Sequence, residues 1–195
     1  MEGTNPVNKK LAVALSGGAV LVLALSGCSS DDSSEKLNAW AKEVCDAVQP
    51  QAKKIEAANA AIQKQTSDNS TPEDVQKTDS QAFKDMSDAY RAMGTAVSKA
   101  GAPDVEEGKA KQKNAVEELN SIASAYADLQ KKVEGLETKD QAKFAEGLKD
   151  IATQLDQLSK TGSDALKKLE EGDVAKAMTQ QKSCQAATTA PATQS

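Results

Sequence analysis

The chain is predicted to be all-α, folding as an antiparallel up-down-up-down four-helix bundle with a short fifth C-terminal helix. Composition is the first reason. The 195 residues include 33 alanines but only two Phe, two Tyr and one Trp. Alanine with Lys, Glu and Gln favours helix, while aromatic and β-branched residues are too sparse for a large sheet. Periodicity is the second reason: four segments repeat apolar residues at three- and four-residue spacing. Segment length is the third. A rod of thirty residues spans about 45 Å, and rods of that length with short connections pack antiparallel.

The first helix is expected to open at Glu35 and to carry Leu37, Trp40, Val44, Val48, Ile55 and Ile62, with Pro50 kinking or splitting it. A loop over residues 67–71 follows. Thr71-Pro72-Glu73-Asp74 then supplies an N-cap, a proline at the first helical position and acids in the first turn. The second helix aligns Val75, Phe83, Met86, Tyr90, Met93 and Val97, and Gly101-Ala-Pro103 stops it. A third begins near Asp104, with Val105, Gln112, Val116, Leu119, Ile122, Tyr126, Leu129, Val133 and Leu136 on its stripe. The fourth begins near Thr138 and has the cleanest heptad, of coiled-coil type, from Phe144 through Leu148, Ile151, Leu155, Leu158 and Gly162 to Leu169. Glu170-Glu-Gly172-Asp173 breaks it, and a fifth helix over Val174–Cys184 returns toward the first. The bundle domain therefore covers 35–184, and residues 185–195, rich in Ala and Thr, are expected to be a disordered tail.

Ahead of the bundle lies an export leader. Lys9-Lys10 precedes an apolar run over Leu11–Leu25, interrupted by Ser16 and shorter than the ~20 residues of a comfortable membrane span. The run ends in Leu25-Ser26-Gly27-Cys28. That tetrapeptide resembles the lipobox of bacterial lipoproteins. The resemblance implies a signal peptide over 1–27, lipid transfer to the Cys28 sulfur, cleavage after Gly27 and a palmitate-type anchor. An uncleaved anchor or an ordinary secretory signal are the alternatives, and all three place the remainder outside the cytoplasm. Residues 28–34, Cys-Ser-Ser-Asp-Asp-Ser-Ser, then read as a lipidated polar tether.

With Cys28 assigned to lipid, two thiols remain in an oxidising compartment. A Cys45–Cys184 disulfide is the economical pairing; free thiols or an intermolecular bridge are the alternatives. The absence of histidine removes the commonest general base and metal ligand, so neither a metal nor a cofactor is expected. The net charge of −5, with acids interleaved among the lysines and Arg91 the sole arginine, argues against nucleic acid.

Several motifs have chemical look-alikes. Ser33-Ser-Glu-Lys36, Ser67-Asp-Asn69 and Lys160-Thr-Gly162 match the short motifs of serine β-lactamases, but the serine lies in the tether and no sheet is available for the Lys-Thr-Gly. Adjacent acids such as Glu106-Glu107 diverge by about 100° on a helix and cannot converge as an acid–base pair. Tyr90 and Tyr126 fall beside the apolar stripes of neighbouring helices, and a buried hydroxyl seeks a partner; they read first as core tyrosines bonded to backbone or water, and with Gln112 they are the candidate pocket as the alternative.

Ala39-Trp-Ala-Lys-Glu-Val-Cys-Asp46 and Leu166-Lys-Lys-Leu-Glu-Glu-Gly-Asp-Val-Ala-Lys-Ala-Met178 resemble stretches of the small secreted lipoproteins of actinobacteria, a mostly uncharacterised group. The resemblance implies a disulfide-closed helical domain tethered to the membrane and brings no catalytic residues. The expected function is a non-catalytic lipoprotein on the outer face of the cell membrane, binding a partner protein or an envelope component. The alternative is a small-molecule receptor with a pocket in the bundle core.

Overall fold

A computed structural model describes residues 28–65, 70–161 and 164–187. The leader, with Leu25, Ser26 and Gly27 of the lipobox-like tetrapeptide, lies outside the described residues, as do 188–195 of the expected tail. The described chain is all-helical and forms a helical bundle. Its elements are α1 (Cys28–Gln65), α2 (Pro72–Ala100), α3 (Gly108–Glu134), α4 (Gln141–Thr161), α5 (Asp164–Leu169), α6 (Asp173–Thr179) and α7 (Lys182–Ala187). Among the described residues no helix is long and apolar enough to cross a membrane.

Local chemistry explains where the helices start and where they depart from expectation. At α2, Thr71 Oγ1 accepts from the Asp74 amide at 3.2 Å and Pro72 occupies the first turn, as the sequence predicts. α1 is longer than expected: it begins at Cys28 and runs without a break through Pro50, so residues 28–34 are its first turns. Proline forgoes one ladder bond. Apolar anchors on both sides, Val44 before Pro50 and Ala58 after it, belong to the two core clusters and hold the helix course.

The third helix starts four residues late. Pro103–Glu107 folds as a compact turn, with the Val105 amide on the Pro103 carbonyl at 2.9 Å and the Gly108 amide on the Val105 carbonyl at 3.0 Å. Glu107 takes a left-handed conformation, φ 57°. Glycine is required next, because a Cβ at 108 would lie 2.1 Å from the Pro103 carbonyl oxygen. α4 also starts late, at Gln141, because Asp140 Oδ1 caps it by accepting from the Ala142 and Lys143 amides, both at 3.1 Å. The expected single heptad to Leu169 divides into α4 and α5, and the expected fifth helix divides into α6 and α7. At the second division the Gln185 side chain donates through Nε2 to the Thr179 carbonyl, 2.6 Å.

α2 and α3 are locked antiparallel by caps at both ends. Gln76, in the second turn of α2, donates to the carbonyls of Val133, Glu134 and Leu136 at 3.0–3.1 Å, where α3 finishes. Gln112, in the second turn of α3, donates to the Val97 and Ser98 carbonyls at 3.1 and 3.3 Å, where α2 finishes. The last carbonyls of a helix lack the regular i+4 partner; the Val133 and Ser98 carbonyls also accept the backbone N–H groups of Leu136 and Gly101, at 3.2 and 3.3 Å, and the glutamine amides add a second bond to each. Midway, buried Ser87 donates to the Ala123 carbonyl at 2.7 Å. α1 runs antiparallel to α2: Trp40 Nε1 near its start bonds the Gly101 carbonyl at 2.9 Å.

Two apolar clusters fill the interior. The first gathers Leu37, Trp40 and Val44 of α1, Val97 of α2, Leu119 of α3, Leu169 of α5 and Val174 of α6. The second gathers Ala58, Phe83, Met86, Leu129, Val133 and Ile151 from α1 to α4. α6 and α7 close over α1, where the Cys45–Cys184 disulfide joins them with Cα atoms 5.1 Å apart. Beside it Ser183 donates to Asp46 at 2.7 Å, and Lys42 and then Ser183 hold the Asp46 carboxyl below the usual carboxylate range.

The disulfide spans a sequence separation of 139, so closing it removes much of the unfolded chain's freedom. The chain-entropy limit for such a loop is about 5 kcal/mol. A Cys45→Ser/Cys184→Ser variant is expected to lose several kcal/mol (about 2–5) in denaturant unfolding. A midpoint equal to the parent's would show that α6 and α7 contribute nothing through this bond.

Candidate functional site

The two tyrosines singled out in the sequence meet. Tyr90 of α2 and Tyr126 of α3 stack with ring centroids 5.6 Å apart and planes 8° from parallel. Phe83 flanks Tyr126 at 6.2 Å. The helical repeat makes this contact: Phe83 and Tyr90 lie seven residues apart on α2, and α3 passes across them in the register that the glutamine caps fix. Burial raises the Tyr126 hydroxyl to about 12, with the neighbouring Tyr90 adding to the effect. Burial also raises Tyr90. Both phenols are therefore neutral at physiological pH. An aromatic pair of this kind contributes about 0.5–1.5 kcal/mol beyond its buried area.

Gln112 is not brought to them. It lies fourteen residues from Tyr126, about 21 Å along α3, and its amide is committed to the end of α2.

Two surface grooves offer docking space instead. One, of about 670 Å³, runs between α1 and α2 over Ala57, Ala58 and Ala61, with Lys54, Lys77 and Asp85 on its rims. The other, of about 770 Å³, lies where the start of α1 meets the α2–α3 turn and is lined by Lys36, Trp40, Glu43, Pro103, Asp104 and Glu107. There Lys36 pairs with Asp32 at 3.1 Å, one turn away. Neither groove includes Tyr90, Tyr126 or Gln112. Among the described residues no group of three Cys, Asp or Glu side chains converges as a metal site.

The structure adds one titratable residue that the sequence reading passed over. Asp79 of α2 is only 8% exposed, and burial pushes its carboxyl up to about 6. A signal was present: Asp79 stands four residues after Val75 and four before Phe83, on the apolar stripe itself.

Because the folded value lies above the unfolded value of 3.8, the folded chain holds this proton more tightly. Its contribution to stability is complete below pH 3.8 and is lost as pH rises through about 6. Asp79→Asn removes the charge. The variant is expected to be more stable than the parent at pH 7.5 by about 1–2 kcal/mol, less than the full shift implies because some of the carboxyl still meets water. The advantage should vanish near pH 4. Denaturant midpoints at pH 4, 6 and 7.5 check this, and a variant weaker than the parent at pH 7.5 would contradict it.

The chain matches no protein-family model, no curated protein and no solved structure. Its functional reading therefore rests on its own residues and geometry.

Proposed function

We propose that this chain is a membrane-anchored extracytoplasmic lipoprotein without catalytic activity, held by acylated Cys28 and binding a partner protein or an envelope component. The carrying observation is the order of features at the N-terminus: Lys9-Lys10, the apolar run, Leu25-Ser26-Gly27, then Cys28 at the first residue of α1. Thiol-borne acyl chains anchor by about 0.8 kcal/mol per buried methylene, and two chains hold firmly.

In this reading α1 to α4 form an up-down-up-down bundle, and α1 carries the domain away from the lipid. Lys36 and Trp40 then sit about 12–18 Å along α1 from the anchored sulfur. The alanine-floored groove, from Lys54 onward, begins about 39 Å from it. A groove with a small-residue floor and charged rims suits a helix or extended segment of a partner. The tyrosines fill their own space by stacking, which favours docking on the exterior over a ligand in the core.

Peptide mass mapping of the membrane fraction under non-reducing conditions tests the anchor. The expected result is an N-terminal peptide starting at Cys28 and carrying diacylglyceryl, with Cys28→Ser releasing the protein or leaving the leader in place. An unmodified Cys28 on a mature chain overturns the reading.

A further inference from the structure

We propose that the alanine-floored groove between α1 and α2 seats a second copy of this chain, related by a two-fold axis that runs along the groove. The second copy is the partner protein of the reading above, and the direction in which the two copies run rests on the anchor at Cys28.

The two walls of the groove differ in charge. The α1 wall, from Lys54 to Gln65, carries one lysine and no carboxylate. The α2 wall, from Asp74 to Asp85, carries both of the groove's acids and Lys77. Each wall is about 16 Å long. The helices run antiparallel, with Trp40 bonded to Gly101. Lys54, fourteen residues after Trp40, therefore lies close to the level of Asp85, sixteen before Gly101, and Gln65 lies close to the level of Asp74. Among the described residues neither Lys54 nor Lys77 makes an ion pair. Asp74 Oδ2 accepts from the Thr71 hydroxyl at 2.7 Å and Asp85 Oδ1 from the Gln81 amide at 2.8 Å, so each acid keeps a second oxygen to accept with. Gln65 Oε1 accepts from Ser70 at 3.1 Å and leaves its Nε2 to donate.

A surface that faces a copy of itself must be self-complementary. A two-fold axis along the groove lays α1 of each copy over α2 of the other at unchanged height. Lys54 then meets Asp85 of the other copy and Gln65 meets Asp74, and each pair occurs twice. With the axis across the groove, α2 would face α2 and α1 would face α1. Lys77 would then meet Asp85, since the two stand four residues either side of Gln81, but Lys54 would meet a wall without carboxylates. The floor permits close approach: Ala57 and Ala61 are exposed beside buried Ala58 and Ala82, and no bulky side chain stands between the backbones.

The axis along the groove also leaves both Cys28 ends on one side, so both acyl anchors can enter one bilayer. Chains held in that way are parallel before they meet and share a raised effective concentration, which lets a patch of this modest size associate.

Cross-linking of the full chain in the membrane fraction tests this. One copy carries Lys54→Cys, a co-expressed copy carries Asp85→Cys, a short bis-maleimide is added, and the products are mapped by mass. A dimer linked through residues 54 and 85 is expected, in higher yield than any dimer from a Lys77→Cys copy with an Asp85→Cys copy. Two differently tagged parent copies should co-purify from the membrane. Lys54→Glu in both copies should lower the recovered second copy about tenfold, and Asp85→Lys added to both should restore it. Absence of the 54–85 link, a link through 77 and 85 in its place, or co-purification indifferent to Lys54→Glu would overturn the proposal. The same map reads Cys28. An acylated Cys28 without the 54–85 link removes the second copy and keeps the anchor, whereas the link on chains with an unmodified Cys28 supports the second copy and removes the anchor.

Discussion

Two glutamine amides set the register on which the rest of the molecule depends. Gln76 bonds the end of α3 and Gln112 the end of α2, so each helix adds side-chain bonds to the glycine-capped end of its antiparallel neighbour. An interior rich in alanine has few large side chains to define a unique fit, and apolar contact alone is non-directional. Hydrogen bonds to the carbonyls of a helix end are directional, and a shift of one turn would break them at both ends together. The Tyr90–Tyr126 stack and the Ser87 bond to Ala123 fall into place between those fixed ends. Trp40 extends the same device to α1 by bonding the Gly101 carbonyl.

Around this frame the remaining elements are attached by different means. α6 and α7 are short, and the Cys45–Cys184 bond fixes them to α1, together with the burial of Val174 and Ala177. α4 is attached chiefly by packing into the second cluster. The molecule thus has a polar-capped frame, a covalently held strap and a fourth helix held by packing.

The helical class, the cap at Thr71, the stop at Gly101 and the Cys45–Cys184 pairing were legible in the sequence because each depends on local chemistry or on simple counting. The start of α3 was not. Pro103-Asp104 has the look of a helix opening, and what moves the start to Gly108 is a turn closed by backbone bonds that no side chain announces. The start of α4 was misplaced because Asp140, not Thr138, takes the capping position. The tyrosine pair was legible from its stripes, whereas the separation of Gln112 depends on a long-range bond to α2. Asp79 was hidden by its type, since an acid on an apolar stripe reads as an exception until the packing is known. The two grooves arise from the juxtaposition of α1 with α2 and with the α2–α3 turn, and periodicity within one helix does not reveal them.

The most direct test of this account is a denaturant unfolding series on Gln76→Ala, Gln112→Ala and the double variant. Each amide satisfies more than one carbonyl, and each loss is expected to cost about 1–2 kcal/mol. The sites lie at opposite ends of the helix pair, so the double variant should lose about the sum, roughly 2–4 kcal/mol. Unfolding midpoints unchanged from the parent in all three would contradict the claim that these caps set the register of the bundle.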